Sequence, residues 1–153
     1  MKVYLAHPIS TVGEFKDSKR VAKEIRALGY EVYAAAENNK INDKKNDPTP
    51  IDVYDGDISE ILTSDLFVVN ITGGHQDGTI SEIGFVSGYN EANKSDPIKI
   101  IAYTSNARLQ KPQFHKGIPS AHANHLVIGM VEKWGEFVGD ESKMIEILRR
   151  NIE

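Results

Sequence analysis

The sequence predicts one α/β domain, residues 1–153, built on a five-stranded parallel sheet covered by helices on both faces. Three observations carry that expectation. Short apolar runs of strand length alternate along the chain with longer segments of helical period. Runs such as Leu66-Phe67-Val68-Val69 are continuously apolar, as in strands buried on both faces. A helical segment joins the first two runs through a very short turn, so a β-α-β unit opens the chain.

The elements follow in order. Val3 to Ala6 forms the first strand, ended by His7-Pro8, and Ile9 to Gly13 is a loop. Glu14 to Leu28 is a helix with Phe15, Val21, Ala22, Ile25 and Leu28 on one face, and Gly29 ends it at the position that favours glycine. Glu31 to Ala35 is the second strand. The polar stretch from Glu37 to Pro50 is long for a plain connection, so it is either a solvated loop or a lid. Asp52 to Thr63 is helical, with Tyr54, Ile58, Ile61 and Leu62 toward the core, and Leu66 to Val69 is the third strand. A helix starting near Thr79 runs to about Asn93, Ser95-Asp96-Pro97 breaks it, and Ile98 to Tyr103 is the fourth strand. Ser105 to Asn124 reads as irregular, His125 to Gly129 as the fifth strand, and Asp140 to Asn151 as a final helix capped by Asp140.

Composition narrows the chemistry. A net charge of −4 makes a nucleic-acid polymer or an anionic membrane a poor main partner. The absence of cysteine removes disulfides, thiolate nucleophiles and thiolate metal sites together. No apolar run approaches the roughly 20 residues of a membrane span, and the opening strand is too short for a signal segment. A soluble cytoplasmic protein is the expectation. No G-x-G-x-x-G or Walker motif follows a strand, so dinucleotide and P-loop sites lack support. His115, His122 and His125 share one region, but their spacings of seven and three fit no common ligand pattern. Trp134 and Phe137 are expected in the core or at a subunit contact.

The stretch from Asn70 to Gly84 is where the chemistry concentrates. It passes from a buried strand through a glycine-rich turn into a helix, the place where open α/β sheets bind ligands. It carries two carboxylates, Asp77 and Glu82. Thr79-Ile80-Ser81-Glu82 also fits a capping box, and Asp77 could simply favour the turn before Gly78. Against that bland reading, Gly84 and Gly88 each cost about 1 kcal/mol in a helix interior, which suggests close packing against their face. Parallel topology brings Tyr4, His7, Ser10, Asp57 and Asn70 to the same sheet edge. Clustered carboxylates shift one another's pKa, so one can attack an anomeric carbon while another handles the leaving group's proton.

Taken together, Tyr4 in the first strand, Asp57 eight residues before Asp65, and Asp77-Gly78-Thr79-x-x-Glu82-x-Gly84 resemble the nucleoside 2-deoxyribosyltransferase family over residues 1 to about 103. The resemblance implies a flavodoxin-like, doubly wound α/β/α fold and transfer of 2-deoxyribose between nucleobases, as in purine salvage. It implies Glu82 as nucleophile at C1′, Tyr4 holding Glu82, and Asp57 with Asp77 binding and protonating the base. His7, Ser10, Asn70 and Gly78 would contact substrate. No cofactor or metal is implied. A homo-oligomer, dimer or hexamer, is implied, with the site completed by a neighbouring subunit. For the asparagine that meets the sugar 5′-hydroxyl, Asn124 and Gln113 are the two candidates. The related deoxynucleoside 5′-monophosphate N-hydrolases bind a phosphate at that end. Residues His7 to Glu14 offer Ser10 and Thr11 but no Arg or Lys, which favours the free nucleoside. A non-catalytic nucleoside-binding module on the same fold is the third reading.

Overall fold

The computed structural model describes residues 1–152, the side chain of Lys44 excepted. Its elements in chain order are β1 (Lys2–Ala6), α1 (Val12–Ala27), β2 (Glu31–Ala34), α2 (Asn39–Asn42), α3 (Pro50–Leu62), β3 (Leu66–Asn70), α4 (Asp77–Ala92), β4 (Lys99–Tyr103), α5 (Ala107–Gln110), β5 (Phe114–His115), β6 (Ile118–Pro119), α6 (His125–Trp134), β7 (Gly135–Gly139) and α7 (Glu141–Arg150). Five strands form one all-parallel sheet in the order β2-β1-β3-β4-β7. This is the flavodoxin-like doubly wound α/β/α arrangement, and its direction of winding reverses between β1 and β3.

Side-chain alternation sorts the core into two layers. Val3, Leu5, Val32, Val68 and Ile101 meet Val21, Ala22 and Ile25 of α1 and Met144 and Leu148 of α7. Tyr4, Ala6, Phe67, Val69 and Ile100 meet Ile61 of α3, Ile83 and Val86 of α4, and Val127 and Val131 of α6. Because both faces are covered, the strands need no polar alternation, and β3 is buried throughout.

Several boundaries move. Thr11 caps α1 and Thr49 caps α3, each in a capping box with Glu14 and Asp52, so both helices start two residues earlier than expected. On α3, Ile61 is buried and Ile58 packs against the core, whereas Tyr54 and Leu62 are exposed. The 37–50 stretch folds into α2 and short 3-10 turns. The expected irregular stretch holds α5 and an antiparallel two-stranded arm, Phe114 pairing with Pro119 and His115 with Ile118.

The largest correction concerns the fifth strand. His125 to Gly129 is the first half of α6, capped by Asn124, whose side chain accepts from the Leu126 N–H. Val127 and Val131, four residues apart, point to the sheet together and make the helix the better burial. The strand is instead β7, flanked by Gly135 and Gly139. Gly135 is required there, because a Cβ would sit 1.7 Å from the Ile100 carbonyl oxygen. Trp134 and Phe137 pack, half-buried, against the α3–α4–α6 layer. Among the described residues no helix is long and apolar enough to cross a membrane.

Candidate active site

The ends of β1 and β3 diverge at the winding reversal, and a cleft of about 160 Å³ opens beside them. Its walls include His7, Ser10, Asp57, Asp77, Gly78 and Glu82. Six of the residues singled out in the sequence therefore meet around one cavity. Tyr4 stands directly behind it, fully buried, and donates its O–H to Glu82 Oε1 at 2.6 Å.

The capping-box reading of Glu82 does not hold. Helix α4 begins at Asp77, with Gln76 in the N-cap position, so Thr79 lies inside the first turn and is buried. Glu82 then projects from the second turn toward β1, where Tyr4 meets it. Being half-buried, with little water on the carboxyl, it is pushed up to about 7, first by desolvation and further by the charge of Asp57. The Tyr4 hydrogen bond draws it partly back down. Burial and the two carboxylates raise the Tyr4 phenol far above its ordinary value, so it stays a donor.

Asp57 comes from α3 and accepts from the Tyr33 O–H at 2.8 Å. Burial raises its pKa, the Tyr33 bond lowers it, and Glu60 raises it again. Asp77 opens α4, where a carboxylate suits the positive end of the helix, and its Oδ1 accepts from the Gly78 N–H at 3.1 Å.

Two expected substrate contacts lie elsewhere. Asn70 is fully buried behind the cleft wall. Its Oδ1 accepts from the Ser105 N–H, which fixes the amide so that Nδ2 donates to Ser105 Oγ and to His7 Nε2, both at 3.0 Å. With Nδ1–H donating to the Pro8 carbonyl at 2.7 Å and Asp17 Oδ2 3.2 Å from Nε2, the His7 ring is held in the wall from both its nitrogens. Asn124 lines a neighbouring cavity of about 660 Å³ with His122, His125 and Gly74. Gln113 sits beside the β5–β6 arm, where its N–H donates to Ser120 Oγ. Within one chain neither Asn124 nor Gln113 lines the Glu82 cleft.

Sequence reasoning passed over Gln76. It is buried, and its Oε1 accepts from the Thr72 N–H at 2.5 Å and the Gly73 N–H at 3.1 Å, while Nε2 donates to the Asn70 carbonyl at 3.0 Å. One side chain thus folds the glycine-rich turn and separates the two cavities, lining both. Nor do Gly84 and Gly88 mark close packing within the chain, since an added Cβ would meet nothing within 4 Å at either.

Residues 3–141 match the family model described as nucleoside 2-deoxyribosyltransferase. The chain belongs to that family. The match extends well past the first 103 residues, through α6 and β7 to the start of α7. Among solved structures, a conserved protein from Enterococcus faecalis V583 superposes with a TM-score of 0.81 at 22% identity, covering 99% of this chain and 98% of that one. The 2-deoxyribosyltransferase from Bacillus psychrosaccharolyticus superposes with a TM-score of 0.61 at 17% identity, covering 86% of this chain and 82% of that one. At these identities the likeness is one of fold. No curated protein sequence matches the chain significantly. Membership of the deoxyribosyltransferase family fits a site built from carboxylates and a phenol, the groups that N-glycosidic bond cleavage uses.

Proposed function

We propose that the protein transfers 2-deoxyribose between the nucleobases of 2′-deoxynucleosides through a covalent deoxyribosyl ester on Glu82. The observation that carries this reading is the Glu82 carboxyl itself, set in the cleft wall and held by the Tyr4 O–H at 2.6 Å. A glutamate needed only to cap a helix has no reason to be there.

The reaction runs in two displacements. Glu82 attacks C1′, the C1′–N bond breaks with its electron pair going to the base, and the base takes a proton from Asp57 or Asp77. The second base then gives up a proton to the same carboxylate and attacks C1′, releasing Glu82. Burial raises the pKa of both Glu82 and Asp57, and the charge of Asp57 raises Glu82 further, so the pair favours keeping one proton between them. A nucleobase nitrogen accepting a hydrogen bond from Asp57 draws that proton to the acid and leaves the nucleophile ionised as substrate binds. Among the described residues no lysine or arginine lines the cleft, which supports a neutral nucleoside over its 5′-phosphate.

The test is chromatography of the purified protein with 2′-deoxyinosine, with and without excess adenine. Deoxyadenosine is expected with the wild type and none with Glu82→Gln, the variant remaining folded. Free hypoxanthine without deoxyadenosine would replace transfer by hydrolysis, to be compared with the 5′-monophosphates. No product from any of these would overturn the catalytic reading and leave a binding protein.

A further inference from the structure

Tyr4 and Tyr33 are cross-strand partners in the β1–β2 register, on the same face of the sheet. Their rings stack with centroids 5.2 Å apart, and Phe67, the partner of Tyr4 on β3, continues the row at 5.6 Å. Each phenol donates to a carboxylate from a different helix: Tyr4 to Glu82 of α4 and Tyr33 to Asp57 of α3. A third group closes the set. Asn38 Nδ2 donates to the Tyr33 oxygen at 3.0 Å.

We propose that Tyr33 is the positioning residue for Asp57, claiming Oδ1 so that the proton Asp57 gives to the departing base is carried on Oδ2. A phenol has one hydrogen. With Asn38 donating to its oxygen, the Tyr33 hydrogen is aimed at Asp57. An oxygen accepting that hydrogen is the poorer place for a second proton, so protonation of Asp57 occurs at Oδ2. Among the described residues, the Tyr33 bond is the only hydrogen bond to the Asp57 carboxylate, and Asp57 lines the cleft. Asn38 also starts α2, its Oδ1 accepting from the Lys40 N–H at 3.2 Å. The turn after β2 is thereby joined to the acid by a continuous chain of hydrogen bonds. The catalytic part of this inference rests on the deoxyribosyl-transfer reading, while the coupling of Tyr33 to Asp57 stands apart from it.

The groups facing Asp57 are Tyr33 from β2, Glu60 from its own helix, and Glu82 and Tyr4, which feel its charge from α4 and β1. Only the Tyr33 bond among these favours the ionised carboxylate. Removing it should raise the Asp57 pKa by about one unit, the usual size for a lost hydrogen bond to a charged group. Tyr33→Phe is the variant of choice, because the ring keeps its stack on Tyr4. Asn38→Ser, which retains a cap for α2, should raise the pKa in the same direction by less.

The experiment is a carbon-13 NMR titration of the aspartate carboxyls in the full chain, wild type against Tyr33→Phe, with the melting temperature as a control on folding. An upward shift confined to Asp57 is expected, and an unmoved Asp57 in a folded variant overturns the coupling. The pH profile of kcat/KM for nucleoside cleavage then reads the consequence. The limb of that profile set by Asp57 should move to higher pH by the same amount, with kcat reduced about tenfold or more and KM little changed. A titration shift without a change in limb or kcat would overturn the positioning role. Absence of turnover by the wild type would instead refute the proposed function, and the titration would still decide whether Tyr33 governs Asp57.

Discussion

Glu82 carries an energetic cost that can be measured without any substrate. Its carboxyl is raised from 4.5 to about 7, chiefly by burial. Between those values the folded protein keeps a proton that the unfolded chain has released, so stability falls as pH rises through that window and stays lowered above it. Glu82→Gln abolishes the titration while its amide oxygen still accepts from Tyr4. The variant should be more stable than the wild type at pH 8 by on the order of 2–3 kcal/mol, with the gap closing by pH 4. Calorimetric melts at the two pH values measure this, and an equal gap at both would show that Glu82 titrates normally. The same residue shows how far local patterns reach. Thr79-x-x-Glu82 satisfies a capping box in sequence, yet the helix already starts at Asp77 and the long-range partner Tyr4 claims the carboxylate. Gln76 escaped notice because an amide that folds a turn with buried hydrogen bonds has no signature outside the turn itself. Tyr33 escaped for a different reason: its role depends on strand register, which its own segment does not encode.

At the scale of elements, β1, α1, β2, α3, β3, α4, β4 and α7 were all legible, because period and punctuation agreed along each of them. The misread pair was α6 and β7. His125-Leu126-Val127-Ile128-Gly129 is a short run with three apolar residues in a row, and such a run suits a buried strand or one side of a helix equally well. Packing of Val127 and Val131 on the sheet decided it. The strand β7 rests on the approach of Gly135 to Ile100, where the backbones leave no room for a side chain. Gly135→Ala should therefore detach β7 from β4 and destabilise the protein by about 3 kcal/mol or more. Denaturant unfolding checks this, and a loss under 1 kcal/mol would mean that β7 shifts freely at that point. Gly84→Ala is the contrasting control. It meets no neighbour within the chain and removes a helix-interior glycine, so it should leave stability unchanged or raise it.

For the whole molecule, the strand order puts β1, β3 and β4 at the centre and β2 and β7 at the edges. Val3–Ala6, Leu66–Asn70 and Ile100–Tyr103 are buried, while the β5–β6 arm pairs only with itself and holds Phe114 and Ile118 out in solvent. Native-state amide exchange should be slowest in the three central strands, at the limit set by global unfolding, and fast from Phe114 to Pro119. Equal protection of the arm would show it to be docked in solution. Doubly wound topology was legible from the order of the elements alone, and with it the edge where the cleft lies. The cleft's neighbour on the far side of Gln76 was not, because it depends on how α6 packs.

The aromatic row Tyr33–Tyr4–Phe67 has one further consequence. Two helices deliver the carboxyls of Glu82 and Asp57, but adjacent strands, about 4.8 Å apart in any sheet, set the gauge between the phenols that hold them. Side chains alternate faces along a strand, so deleting a single residue from β2 ahead of Tyr33 would carry its phenol to the α1 side and strand Asp57 without a donor. On the proposed mechanism, catalytic competence is thus indexed to the alignment of the edge strand, and an assay of base exchange would double as a gauge of whether β2 has zipped in frame.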